Sequence, residues 1–306
     1  MDLLVPSLPT PIQQISDEIT DKAGIRLFVK RDDLIHPFVS GNKWRKLKYN
    51  LQEAKDRGFT TLLTFGGAFS NHIYATAAAG AYLGFKTIGI VRGEDPEKRK
   101  SPTLQFCEQQ GMRLHYVSRE EYKLKNSPEY VDQLSRQFEN SFIIPEGGTS
   151  KWALQGVREM TIEVEGQLNQ KPDYYAVAAG TGGTAAGILS SGSDVLAFSS
   201  LKGGSFLKND ILDLLKGNNE SGHLQLLTEY HFKGYARHTP ELLDFIKKFK
   251  NKHSIQLEQV YTGKMLFGLY DLIAQGFFEK GSCVVAVHTG GLQGMLAELK
   301  FTTHVD

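Results

Sequence analysis

Apolar residues recur along this chain in two alternating rhythms. From residue 43, Trp44, Leu47, Leu51 and Ala54 fall three or four apart, the spacing that lines one face of an α-helix, and Gly58 marks a stop. Residues 60–65, "TTLLTF", form a short unbroken apolar run and predict a buried strand. A second helix is expected from Ser70, with Ile73, Ala77 and Ala81 four apart and Gly84 as its end, followed by a strand at 87–92, "TIGIVR". The charged stretch after it, "RGEDPEKRKSP", predicts a surface loop.

The rhythm continues with a strand "YYAVAAG" ending at Gly180, a helix from Thr184 and the strand "VLAFSSL". Helices over 240–251 and 264–275 and a strand over 282–288, "SCVVAVH", complete it. Strands this apolar, separated by helices, predict parallel sheets covered on both faces. No internal repeat, low-complexity tract or flexible linker interrupts the pattern, so lobes sharing a cleft are expected rather than separate beads. The 306 residues, 41% of them apolar, suffice for two lobes or one large α/β unit.

Charge narrows the partner class. Lys plus Arg number 35 and Asp plus Glu 34, so no global field argues for nucleic acid or an anionic membrane, and a small molecule is the expected partner. Cys107 and Cys283 stand far apart, in neither a C-x-x-C nor a Cys/His metal spacing. A reduced, cytoplasmic protein without a metal site is expected. The opening stretch lacks a basic and then apolar leader pattern, and no apolar run approaches the roughly 20 residues that span a bilayer.

Four loops carry candidate chemistry. In "AAGTGGTAAGIL" a strand empties into Gly180, Thr181, Gly182, Gly183 and Thr184 as a helix begins. Bare backbone N–H groups and two hydroxyls there suit a phosphate, although a tight turn without a ligand is the alternative. Gly180, Gly182 and Ala185 also fit the dinucleotide fingerprint G-x-G-x-x-A. That fingerprint requires an acidic residue about 20 positions on for a ribose hydroxyl, and Ser199, Ser200 and Lys202 stand there instead. NAD is disfavoured, an NADP-dependent oxidoreductase stays open, and no Walker A sequence is present. The loops at 65–72, 145–150 and 288–291 repeat the pattern of a strand running into glycine or hydroxyl residues, and four such ends can converge on one cleft.

One placement runs against local electrostatics. "SGNKWRKL" puts Lys43 in the first turn of an apparent helix that also carries Arg45, Lys46 and Lys48, where the positive end of the macrodipole disfavours cations. The ordered series "PTPI", "KRDDL", "SGNKWRKL", "SNH", "GTGGT", "VYTGK" and "HTGG" resembles the 1-aminocyclopropane-1-carboxylate deaminase and D-cysteine desulfhydrase family. That family lies within the fold type II, tryptophan synthase beta-like, pyridoxal-phosphate enzymes. The resemblance implies an α/β fold of two open, twisted, mostly parallel sheets with the active site between the lobes. It also implies a large domain of residues 1–45 plus 150–306, a small domain of 46–149, and a homodimer.

For the site, the resemblance implies that Lys43 binds pyridoxal 5'-phosphate covalently, with an amine made nucleophilic by its cationic surroundings. Asn71 would contact the cofactor's phenolic oxygen. The Gly180, Thr181, Gly182, Gly183 and Thr184 loop would hold its phosphate, with Lys46 as a further cation. Ser70 resembles the substrate-facing hydroxyl, or serves only as a helix cap, while His72 either faces the substrate or closes the turn. Tyr235 and Tyr261 resemble the family's phenol pair for proton transfer to a small amino-acid substrate.

Two departures bear on the reaction. Thr262 stands where the ring-opening deaminases carry a glutamate facing the pyridine nitrogen, with Thr289 as a second hydroxyl in that vicinity, a pattern closer to the desulfhydrase branch. Phe69 replaces the glutamine common before the Ser-Asn pair. The expectation is β-elimination of a small amino acid to a 2-oxo acid and ammonia, as with D-cysteine. Ring opening of the cyclopropane substrate is the alternative, and a pyridoxal-phosphate carrier without turnover stands as a rival of another class.

Overall fold

In the structure, a computed structural model describing residues 5–93, 101–218 and 222–300, the alternating pattern resolves into two separate sheets. The chain begins with β1 (Ile12–Ile15), α1 (Glu18–Ala23), β2 (Arg26–Lys30) and α2 (Asn42–Asp56). It then builds a second unit from β3 (Thr61–Gly66), α3 (Asn71–Leu83), β4 (Lys86–Arg92), α4 (Pro102–Gln109), β5 (Arg113–Val117), α5 (Arg119–Lys123), α6 (Pro128–Gln137) and β6 (Ser141–Ile144). The longest helix, α7 (Lys151–Leu168), leads back to β7 (Tyr174–Ala179), α8 (Gly183–Leu189), β8 (Val195–Ser199), α9 (Leu207–Leu214) and β9 (Leu224–Leu227). Finally come α10 (Pro240–His253), α11 (Thr262–Ala274), β10 (Cys283–Val287) and α12 (Ala297–Lys300).

Six strands pair in the order β1-β2-β10-β7-β8-β9 and four in the order β5-β4-β3-β6. Every pairing is parallel except β1 with β2. Both faces of the larger sheet are covered, as its apolar strands predict. Along β7, Ala176 and Ala178 join the core beneath α10 and α11, whereas Tyr175, Val177 and Ala179 join the core beneath α7, α8 and α9. The smaller sheet packs one face on α2 and α3, through Leu62, Phe142 and Ile144.

The strands and helices predicted from hydrophobic rhythm all occur, within one to three residues of their expected bounds. Residues 94–100 of the charged loop lie outside the described residues. Elements without a clear rhythm were not predicted, α7 and β2 above all. Gly156 interrupts the pattern of α7 because a Cβ there would sit 1.9 Å from the Arg45 carbonyl oxygen of α2. Strand β2 ends in Lys30, which is fully buried and pairs with Glu163 of α7. Both residues obey a tertiary demand rather than a local one.

Cys107 and Cys283 are buried free thiols. Among the described residues no helix is long and apolar enough to cross a membrane, and no cluster of His, Cys, Asp and Glu could hold a metal ion.

Candidate active site

The C-terminal ends of β3, β6, β7 and β10 open onto one cavity of about 670 Å³, which also receives the start of α2. Parallel strands aligned this way collect ligand loops at one edge. The four loops singled out in the sequence supply Ser70, Asn71 and His72; Glu146 and Thr149; Gly180, Thr181, Gly182, Gly183 and Thr184; and Thr289. Lys43, Lys46, Tyr235 and Tyr261 also stand on its wall, so that of the predicted set Thr262 alone is missing from it.

Lys43 enters the cavity through a backbone that only glycine permits. Gly41 has φ of +62°, and a Cβ there would lie 2.0 Å from the Thr289 carbonyl oxygen, so α2 begins tight against the loop after β10. Crowding by protein pushes the Lys43 ammonium down to about 8, and the Glu146 carboxylate draws it part-way back. Lys46 lies one turn on and is buried. Its ammonium is held well below the ordinary lysine range, by burial first and then by the charge of Lys43. Its Nζ donates to Thr149 Oγ1 at 3.0 Å, and Thr149 shares a 2.8 Å hydrogen bond with the Thr181 hydroxyl.

Two amines converging in a desolvated pocket call for an anion. The glycine loop is cut to receive one: a Cβ on Gly183 would fall 2.7 Å from Thr149 Oγ1 and 2.8 Å from Lys46 Nζ. Asn42 Nδ2 donates to Thr184 Oγ1 at 2.9 Å, tying the first turn of α2 to the same loop. A phosphate group fits this combination of bare backbone, hydroxyls and cation.

Across the cavity, Ser70 caps α3, its hydroxyl accepting from Ile73 N at 3.3 Å, and also borders the cavity. Asn71 Oδ1 accepts from Gln293 Nε2 at 2.6 Å, which leaves the amide's N–H donors for a ligand. His72 is buried and bonded through Nε2 to Thr64 Oγ1 at 2.6 Å, while Thr64 donates to the Ile144 carbonyl. Thr64 therefore accepts from His72, fixing the Nε2–H tautomer. Burial, then Lys43 and Lys46, keep the ring neutral by holding its pKa well below the usual value. Its Nδ1 is buried without a partner among the described residues.

Tyr235 and Tyr261 meet edge to face with ring centroids 6.0 Å apart. Burial raises both phenols, and Tyr235 adds to the rise at Tyr261, so the pair stays protonated near neutrality. Thr289 lies on the cavity wall; Thr262 does not. The Thr262 hydroxyl donates to Glu258 Oε1 at 3.1 Å beneath the start of α11, and the residue is fully buried. Phe69 is turned outward and is 53% exposed.

Sequence reasoning passed over several charged residues that line the cavity, among them Arg92, Lys125 and Glu146. Arg92 stands at the end of β4, where a Cβ on Gly67 would be 3.7 Å from its Nη2. Glu146 accepts from the Tyr122 hydroxyl at 2.7 Å and lies 3.5 Å from Lys125 Nζ. Only their position after strands β4 and β6 hinted at a role.

Comparison with known proteins agrees with this geometry. The chain is 33% identical over 314 aligned residues to the mitochondrial bifunctional D-cysteine desulfhydrase/1-aminocyclopropane-1-carboxylate deaminase of Arabidopsis thaliana, covering 94% of this chain and 77% of that one. It is 28% identical to the D-cysteine desulfhydrase of Klebsiella pneumoniae over 94% of this chain and 93% of that one. A solved structure described as an ACC deaminase homologue superimposes with a TM-score of 0.80 at 29% identity, covering 95% of this chain and 92% of that one. Residues 6–193 match the family described as "Pyridoxal-phosphate dependent enzyme". These likenesses leave the oxidoreductase reading of the glycine loop without support; the chain belongs to the pyridoxal-phosphate-dependent enzymes.

Proposed function

We propose that this protein deaminates a small amino acid by β-elimination, in the manner that the name D-cysteine desulfhydrase describes for its relatives. The observation that carries the reading is the Lys43 amine, desolvated and facing the cavity beside a phosphate-shaped loop. Overall, X–CH2–CH(NH3+)–COO− and water give a methyl 2-oxo acid, ammonium and HX.

Lys43 would hold the cofactor's aldehyde carbon, and its amine would be the base for the substrate's α-proton. Bound pyridoxal phosphate supplies the sink for the electron pair left at Cα. Lys46, Thr149 and the Gly180–Thr184 loop bind the phosphate, and the Asn71 amide donates to the phenolic oxygen. Ser70 and the Arg92 guanidinium receive the substrate carboxylate, a planar match suited to arginine. The protonated Tyr235 and Tyr261 pair delivers a proton to the departing group. Thr289, a neutral hydroxyl, stands at the cavity wall against the start of α2, while Thr262 is bonded to Glu258; a neutral hydroxyl in place of a carboxylate favours elimination. Ring opening of the cyclopropane amino acid is the second reading, favoured by the name of the bifunctional relative. The proposal includes a cytoplasmic homodimer, with residues 1–45 plus 150–306 as the large domain and 46–149 as the small one.

Borohydride reduction of the cofactor-loaded protein, followed by digestion, is expected to place a phosphopyridoxyl group on Lys43; a label on another lysine overturns the assignment. Oxo-acid release from D-cysteine, L-cysteine, D-serine and the cyclopropane amino acid then separates the two readings. Rapid turnover of the last alone favours ring opening, and turnover of none leaves a carrier.

A further inference from the structure

Beyond Tyr261, one face of helix α11 carries the segment that brings Tyr235 to the site. Residues 261, 264, 267, 268 and 271 recur at three- and four-residue intervals, so they share one face of the helix. The turns between β9 and α10 run antiparallel along that face, contact by contact. Tyr230 donates its hydroxyl to Asp271 Oδ2 at 2.6 Å, and its ring lies so close to α11 that a Cβ on Gly268 would be 2.7 Å from it. Phe232 meets Phe267 edge to face with centroids 5.0 Å apart. Lys264 Nζ donates to the carbonyls of His231 at 2.9 Å and Gly234 at 2.8 Å. Tyr235 then arrives against Tyr261.

This segment does not hold its shape unaided. Phe232, Lys233 and Ala236 have φ of +48°, +70° and +54°, a region non-glycine residues rarely adopt, and Gly234 between them has φ of +118°. Such conformations persist only where the surroundings impose them. Lys264 is 2% exposed, so its ammonium loses water and gains two backbone carbonyls. A buried cation bonded to carbonyls rather than to a carboxylate is a costly arrangement that the nearby Glu258 charge only partly offsets, and here its two bonds fall on the residues that bracket the strained turn leading into Tyr235.

We infer that Lys264 is a positioning residue for the reaction: through the carbonyls of His231 and Gly234 it clamps the strained turn onto α11 and so sets Tyr235 against Tyr261. The inference rests on the proton-transfer role proposed for Tyr235. It assigns to the lysine of "VYTGK" a purpose separate from cofactor attachment, and it makes the face of α11 a rail on which the tyrosine is carried. Arginine at 264 keeps the charge and two donors; methionine keeps only the stem.

The test compares Lys264→Met, Lys264→Arg and Tyr235→Phe in the cofactor-loaded protein with D-cysteine, or whichever amino acid the wild type turns over best. Lys264→Met is expected to lower kcat at least tenfold with KM within about twofold. The visible absorbance of the bound cofactor should stay unchanged, and Lys264→Arg should recover most of the loss. Wild-type kcat in Lys264→Met beside an impaired Tyr235→Phe overturns the clamp alone. Wild-type kcat in Tyr235→Phe overturns the tyrosine's role and the clamp's purpose with it. Should Lys264→Met fail to fold, Tyr230→Phe loosens the far end of the same rail; it is expected to lower kcat about threefold at constant KM, and an unchanged kcat counts against the inference.

Discussion

Lys43 combines two opposing influences on one amine. Burial pushes its ammonium down to about 8 from an ordinary value near 10.5, and Glu146 favours the charged form. The neutral amine attacks an aldehyde, so the rate at which cofactor-free protein takes up pyridoxal phosphate is expected to rise with pH and level off above about 8. Glu146→Gln removes the charge that favours the ammonium, so the inflection moves to lower pH. Stopped-flow absorbance over pH 6–10 reads both effects, and an inflection unmoved by Glu146→Gln removes that carboxylate from the account. Lys43 was legible in the sequence because its motif is local: glycine, asparagine and lysine in consecutive positions. Glu146 and Arg92 were not, because the loop of Glu146 is marked only by its glycines and hydroxyls and Arg92 closes a strand without a motif. Each becomes part of the site only when β4 and β6 align their ends beside β3.

At the scale of one element, the start of α11 shows how a helix is fixed where its own first residues offer no cap. Tyr261 at the N-cap makes no side-chain capping bond. Glu258 supplies the cap from before the helix, its carboxylate accepting from the backbone N–H of Val260 at 2.6 Å, Tyr261 at 2.9 Å and Thr262 at 2.6 Å, and from the Thr262 hydroxyl. Glutamine keeps the shape but turns one acceptor into a donor facing Val260 N–H. Glu258→Gln is therefore expected to destabilise the fold by roughly 1–3 kcal/mol, the cost of a buried donor left unmatched, read as a lower urea midpoint at constant slope. A stability within 0.5 kcal/mol, about the spread of neutral surface changes, would falsify the capping role. The hydrophobic rhythm predicted this helix from residue 264, two residues late, because Thr262 and Gly263 precede its periodic positions. The rhythm missed α7 for the converse reason, as Gly156 and the acids Glu159 and Glu163 serve contacts with α2 and β2 that no window of sequence displays.

Across the molecule, the two sheets are joined by a buried charge cluster that holds α2 in place. Arg45, two residues beyond Lys43, pairs with both oxygens of Asp32 at 2.9 and 3.1 Å and with Glu163 Oε2 at 2.9 Å. Glu163 also pairs with Lys30 at the end of β2 and accepts from Thr10 N. The Lys30 ammonium donates further to the Thr10 carbonyl and to Gln167 Oε1, each at 2.7 Å. The cluster thus links the N-terminal segment, β2, α2 and α7. Buried pairs of this kind contribute little net stability when complete, yet removing one member strands a charge and costs about 3–5 kcal/mol. Glu163→Gln leaves Lys30 without its carboxylate and Arg45 with half its partners, so a loss of about 3 kcal/mol is expected. Lys30→Met with Glu163→Leu removes the stranded ammonium as well, while Arg45 keeps Asp32. That double variant should be more stable than Glu163→Gln alone, a sign of coupling rather than additivity. Because α2 carries Lys43 and Lys46, the single variant is also expected to bind pyridoxal phosphate more weakly and the double variant to recover part of the affinity, measured by fluorescence titration. Equal destabilisation in the single and double variants, with affinity unchanged in both, would mean that helix packing alone orients α2.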